Sequence, residues 1–157
     1  MNSWVLRATV LGALTVVLRI LLGFGMIQSP THGAWMRTLC LIVLIAAALL
    51  WGLADGRGDR RAHPDPDHGG ADLTMRWLKA GVVGGLGSGL VSWVLDYVPK
   101  FDLGGNGLLF ELTAGASFIV LMIFIPAMAG VALGRFLVGR AGRKAESKPN
   151  HATPAAA

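Results

Sequence analysis

Three long stretches without a charge decide what this chain can become. No Asp, Glu, Lys or Arg stands between Arg37 and Asp55, between Lys79 and Asp96, or between Glu111 and Arg135. A bilayer core of ~30 Å is crossed by about 20 apolar residues in a helix. Each stretch approaches or exceeds that length once its flanking side chains snorkel. Inside lipid the backbone must satisfy its own hydrogen bonds, so such a stretch crosses as a helix. A fourth span is predicted from Val5 to Ile27, apolar except for Arg7 and Arg19. A basic residue before an apolar run also opens a secretory signal peptide. Arg19 inside the run, and no Ala-x-Ala pattern before Trp35, favour a retained span. Of the 157 residues, 54% are hydrophobic and 15% charged, against about 25% charged in soluble domains. The expectation is an all-α integral membrane protein with one domain, residues 1–140, of four transmembrane helices at about 5–27, 35–54, 75–98 and 108–139.

Charge placement predicts the orientation. With the N-terminus inside, Arg7, Arg57, Arg60, Arg61, Arg76, Lys79, Arg135, Arg140, Arg143, Lys144 and Lys148 all fall on the cytoplasmic side. Arg37 and Lys100 fall outside, and Arg19 lies within the membrane. That bias follows the positive-inside rule and predicts two helical hairpins with both termini cytoplasmic. Trp4, Trp51 and Trp77 near inner helix ends, and Trp35, Trp93 and Tyr97 near outer ends, match interfacial aromatic belts. The net charge of +5 and pI near 10.2 therefore describe topology rather than nucleic-acid binding, which needs a folded basic surface.

Residues 55–74 are polar and rich in Pro and Gly, a pattern expected of a flexible cytoplasmic linker. Within it His63-Pro-Asp65-Pro-Asp67-His68 groups metal-ligand types. The prolines and flanking glycines argue against a preorganised site, and no metal or cofactor is predicted. Residues 141–157 lack an apolar pattern and read as a disordered tail. Cys40, the single cysteine, lies in an apolar segment without a neighbouring base; it reads as a small buried hydrophobe. No nucleophile, metal set or general-base pair emerges, so no catalytic residue is predicted and an enzyme is not expected.

Two helix faces carry information. In the third helix Gly81, Gly85 and Gly89 recur every four residues, followed by Ser92 and Asp96. That spacing admits a second helix backbone. Gly130 and Gly134 form a similar pair in the fourth helix, below Pro126. In the first helix Ala8, Gly12, Thr15, Arg19 and Gly23 share a face. A charge at membrane depth normally has a partner or a watery cavity. At ~1.5 Å per residue, Arg19 lies roughly 12 Å below the outer helix end and Asp96 and Glu111 roughly 5 Å below theirs. An extended arginine spans the difference. The expected intramembrane charge site is Arg19, Asp96 and Glu111, with Arg19 pairing to Asp96 and Glu111 competing for the same guanidinium.

The stretches Arg7-Ala-Thr-Val-Leu-Gly-Ala, Ser92-Trp-Val-Leu-Asp96 and Leu109-Phe-Glu111, set in four helices, resemble a group of small actinobacterial membrane proteins. That group is related to the drug/metabolite transporter superfamily, and the resemblance covers about residues 1–140. It implies a multi-pass protein of the bacterial plasma membrane that transports or exports a small amphipathic or cationic solute of unknown identity. The related small multidrug resistance proteins use a glutamate in the first helix, where this chain has no acid. No functional residue carries over from them. A competing reading is a non-catalytic accessory or assembly subunit, because glycine-rich faces dock helices. Either reading makes membrane lipid and a second copy or other membrane subunits the partners, with no nucleic acid.

Overall fold

In the computed structural model, residues 3–28, 30–64, 70–96 and 107–146 are described; the side chains of Pro30, Asp96 and residues 143–146 lie outside that description. Helix α1 spans Ser3–Gln28 and is followed by one 3₁₀ turn at Pro30–His32. Helix α2 spans Gly33–Ala62 and α3 spans Leu73–Asp96. The fourth helix, α4, starts as a turn at Leu108–Phe110, widens into a π-helical segment at Glu111–Gly115, and continues as α-helix over Ala116–Glu146. All four are long and apolar enough to cross a membrane. The chain is an all-α, multi-pass membrane protein.

The helices pack chiefly in the ring order α1, α3, α4, α2, and the closest partnership is α2 with α4. Leu11, Leu44, Ala48, Trp77, Ile123, Ala127 and Val131 fill the space they enclose. Leu21, Leu50, Ile125 and many other large apolar side chains point outward, the arrangement hydrocarbon favours and water does not.

Small residues set how near the axes come. A Cβ added at Gly52 or Gly56 of α2 would run into the backbone of Ala127 or Val131 in α4. Reciprocally, a Cβ at Gly130 or Gly134 would run into the backbone of Leu49 or Leu53. On α3, a Cβ at Gly85 would sit 2.9 Å from the Ala116 carbonyl oxygen, and one at Gly89 2.9 Å from that of Glu111. At Gly81 the nearest α4 atom would be 3.5 Å away, an ordinary contact. The opposite side of α3 meets α1, where a Cβ at Gly84 would lie 3.2 Å from the Ala8 carbonyl oxygen.

Two helices outrun the lengths read from their apolar runs. Helix α2 continues past residue 54 to Ala62, through two glycines that in water would weaken it. Tertiary contact overrides that propensity: Gly56 is buried against Val131, and Asp55 and Asp59 bond to other segments. Only part of the predicted linker is therefore non-helical, and Asp65, Asp67 and His68 lie outside the described residues. Helix α4 continues past 139 to Glu146, which places its last turns in the segment read as tail.

A charged cavity between α1, α2 and α4

Glu111 opens the π-helical segment, whose wide turn is closed by the Ala116 N–H donating to the Glu111 carbonyl five residues back. Its carboxylate is buried, with 5% of the side chain exposed. Gly115 leaves room for it: a Cβ there would lie 3.1 Å from Glu111 Oε2. Facing it from α1, Arg19 donates from Nη1 to Oε2 and from Nη2 to Oε1, both at 2.7 Å. This two-pronged geometry is the strongest form of the ion pair. It joins helices diagonal in the ring and gives a membrane-depth arginine the partner its desolvation demands.

The pair forms part of the wall of a cavity of about 350 Å³. Leu18, Leu22, Leu41, Leu44, Phe118 and Ile119 supply most of the apolar surface, and Thr15, Cys40 and Arg37 complete the polar part. The Cys40 thiol sits 3.8 Å from the Leu18 carbonyl. Arg37 is an exposed residue whose Nη2 lies 3.8 Å from Met26 Sδ. Asp96 is the last residue of α3; its side chain is outside the described residues, so of the three charges expected to converge, the structure describes the pairing of Arg19 and Glu111.

Two further polar clusters, at the opposite end of the bundle, were not anticipated as sites. Arg7 is 6% exposed and forms an ion pair with Asp55, its Nη2 2.7 Å from Oδ2. The Trp77 indole N–H donates to the same oxygen at 3.0 Å. The Arg7 guanidinium carbon lies 5.3 Å from the centre of the Trp77 ring, within cation–π range. Arg7 Nε and Nη1 are buried without a hydrogen-bond partner among the described residues. Trp77 is fully buried and meets Trp51 edge-on at 6.4 Å. It stands near a helix end, as an aromatic belt requires, but its ring faces the bundle rather than lipid headgroups.

The second cluster holds the chain just before α3. Asp59 Oδ1 accepts the Ala71 N–H at 2.8 Å, and Asp59 Oδ2 accepts from Arg135 Nε at 2.9 Å and lies 2.7 Å from Nη2 in an ion pair. Arg135 Nη2 also donates to the Ala71 carbonyl at 3.3 Å. One backbone residue is thus clamped by α2 and α4 together. A signal for both clusters exists in the acids at 55 and 59, one turn apart on a helix face, though only once α2 is known to continue. Compared with protein-family models and with curated proteins, the chain finds no match.

Proposed function

We propose that this chain is a small carrier or exporter of the bacterial plasma membrane, with N-in/C-in hairpins, and that the α1–α2–α4 cavity receives an amphiphilic solute from the bilayer. The observation that supports it best is a two-pronged Arg19–Glu111 pair, its carboxylate buried, on the wall of a mostly apolar cavity of about 350 Å³. That volume falls in the range of small-molecule sites, about 300–1,000 Å³, which combine apolar walls with a few placed polar groups. A purely structural pair is served as well by close packing all round; this one borders open space. The glycine contacts between α2 and α4 and between α1 and α3 favour two stiff helix pairs, with the cavity at their seam.

The test is flux. The purified protein is reconstituted in liposomes, and uptake of radiolabelled dodecanesulfonate and tetraphenylphosphonium is compared with empty liposomes. Uptake of at least one probe is expected, with loss in Leu41→Trp, which fills the cavity from an exposed wall position. Absence of protein-dependent flux for both probes in folded protein removes the carrier reading.

A second reading, an assembly subunit, draws on the groove between α1 and α3. Ala8, Gly12, Ala13, Gly84 and Gly87 border it, and a Cβ on Gly87 would meet nothing within 4 Å. A helix of another membrane subunit would dock there by small-residue packing. Stoichiometric cross-linking of Gly87→Cys, in a Cys40→Ala background, to a different membrane protein in native membranes would support it; cross-linking between copies alone, or none, would exclude it.

A further inference from the structure

The cavity's charges are ordered by depth, and that order selects a ligand. At ~1.5 Å per residue, Arg37 lies about 6 Å from the Gly33 end of α2 and Arg19 about 13 Å from the Gln28 end of α1. Leu44 of α2 and Ile119 of α4 lie about 16 Å from the corresponding ends, nearer the membrane centre. The charged side chains of the wall, Arg37, Glu111 and Arg19, thus stand toward its outer end. Its deepest part, at Leu44, Ile119 and Thr15, carries no charge, the profile of one amphiphile with its head at the bilayer surface. Among the described residues, its wall carries two guanidinium groups and one carboxylate. The Glu111 carboxylate is engaged by Arg19 through both oxygens, whereas Arg37 meets no acid among the described residues. The Met26 thioether beside Arg37 is a weak acceptor and neutralises nothing.

We infer that the cavity binds single-chain anionic amphiphiles drawn from the bilayer, with the head at Arg37 and the alkyl chain lying toward Leu44 and Ile119. A cationic amphiphile would meet Arg37 as a like charge, and Glu111 is already engaged by Arg19. The inference deepens the carrier reading and rests on its cavity, but it concerns which ligand is held, whether or not that ligand crosses.

The test is photolabelling in lipid nanodiscs of neutral phospholipid, with dodecanesulfonate bearing a diazirine on its terminal carbon. Mass spectrometry locates the insertion. Labelling is expected in the segments around Leu44 and Ile119. Unlabelled dodecanesulfonate should compete best, dodecanol less, and dodecyltrimethylammonium least. Arg37→Gln should weaken the anion's competition about three- to tenfold while leaving dodecanol's unchanged, as expected for one partly solvated charge contact. Arg37→Lys should retain the order. Insertion elsewhere, equal or better competition by the cation, or an unchanged order in Arg37→Gln would each overturn the inference. Flux without anion preference would leave the carrier reading standing and sink this one; anion preference without flux would do the reverse.

Discussion

At the scale of single residues, the energetics turn on charges that the membrane makes expensive to leave alone. Removing one partner of a buried pair strands the other, whereas replacing both by apolar groups is often nearly neutral. Arg19→Leu and Glu111→Leu should each destabilise the protein by about 2–4 kcal/mol, and the double variant should recover most of the loss. Thermal unfolding in mild detergent measures this; additive losses would mean that the 2.7 Å contacts contribute nothing jointly. Arg7 is a separate case, because it both pairs with Asp55 and stacks on Trp77. Arg7→Lys keeps the charge but loses the planar face and the fork, which are not interchangeable with an ammonium. It should therefore recover only part of the stability lost in Arg7→Leu, and full recovery would rule out a stacking contribution. The acid and base on the cavity wall were legible in the sequence because charges in apolar runs stand out. The two-pronged Arg19–Glu111 contact was less legible: Asp96 and Glu111 lie at similar expected depths, and the π-helical turn that begins at Glu111 leaves no simple mark in a period of 3.6. Arg7 and Asp55 looked like flanking topology signals, and nothing in their own spacing joins residues so far apart.

At the scale of helices, glycine decides both length and approach. Gly56 and Gly58 made the segment after Ala54 look like linker, since glycine in a water-exposed helix costs about 1 kcal/mol relative to alanine. Their surroundings differ. Gly56 lies against the Val131 backbone, while a Cβ on Gly58 would meet nothing within 4 Å. The consequence is a paired expectation on one helix. Gly52→Ala and Gly56→Ala should each destabilise by about 1–3 kcal/mol through overpacking, whereas Gly58→Ala should stabilise by about 0.5–1 kcal/mol through helix propensity. Melting temperatures of the three variants in one detergent decide it, and three equal shifts would mean α2 and α4 do not approach as described. The repeats at 81, 85 and 89 and at 130 and 134 are visible as patterns without any structure. The pair at 52 and 56 has the same spacing, but it straddles the point where the apolar run ends, so hydropathy cut it in two.

For the whole molecule, the four spans were the most legible feature, because a charge-free run of bilayer length has few alternatives. The ring order of the helices was not legible, since every helix carries small residues on more than one side and lipid-facing and core-facing leucines look alike. Orientation rests on charge bias alone, and it makes the remaining prediction. Arg57, Arg60, Arg61, Arg76 and Arg135 cluster at the end where α2 finishes and α3 begins, and insertion keeps such clusters on the cytoplasmic side. Thr31, in the turn between α1 and α2, and Arg61, near the end of α2, are both exposed and lie at opposite ends of the bundle. In a Cys40→Ala background, Thr31→Cys should react with a membrane-impermeant maleimide added to intact bacterial cells, and Arg61→Cys should react only after the membrane is opened. Reversed labelling would invert the topology and put the mouth of the cavity on the cytoplasmic face. The proposed carrier would then load from the inner leaflet, with the Arg19–Glu111 chemistry unchanged. Labelling of both positions in intact cells would mean two orientations coexist, which the one-sided arginine cluster opposes.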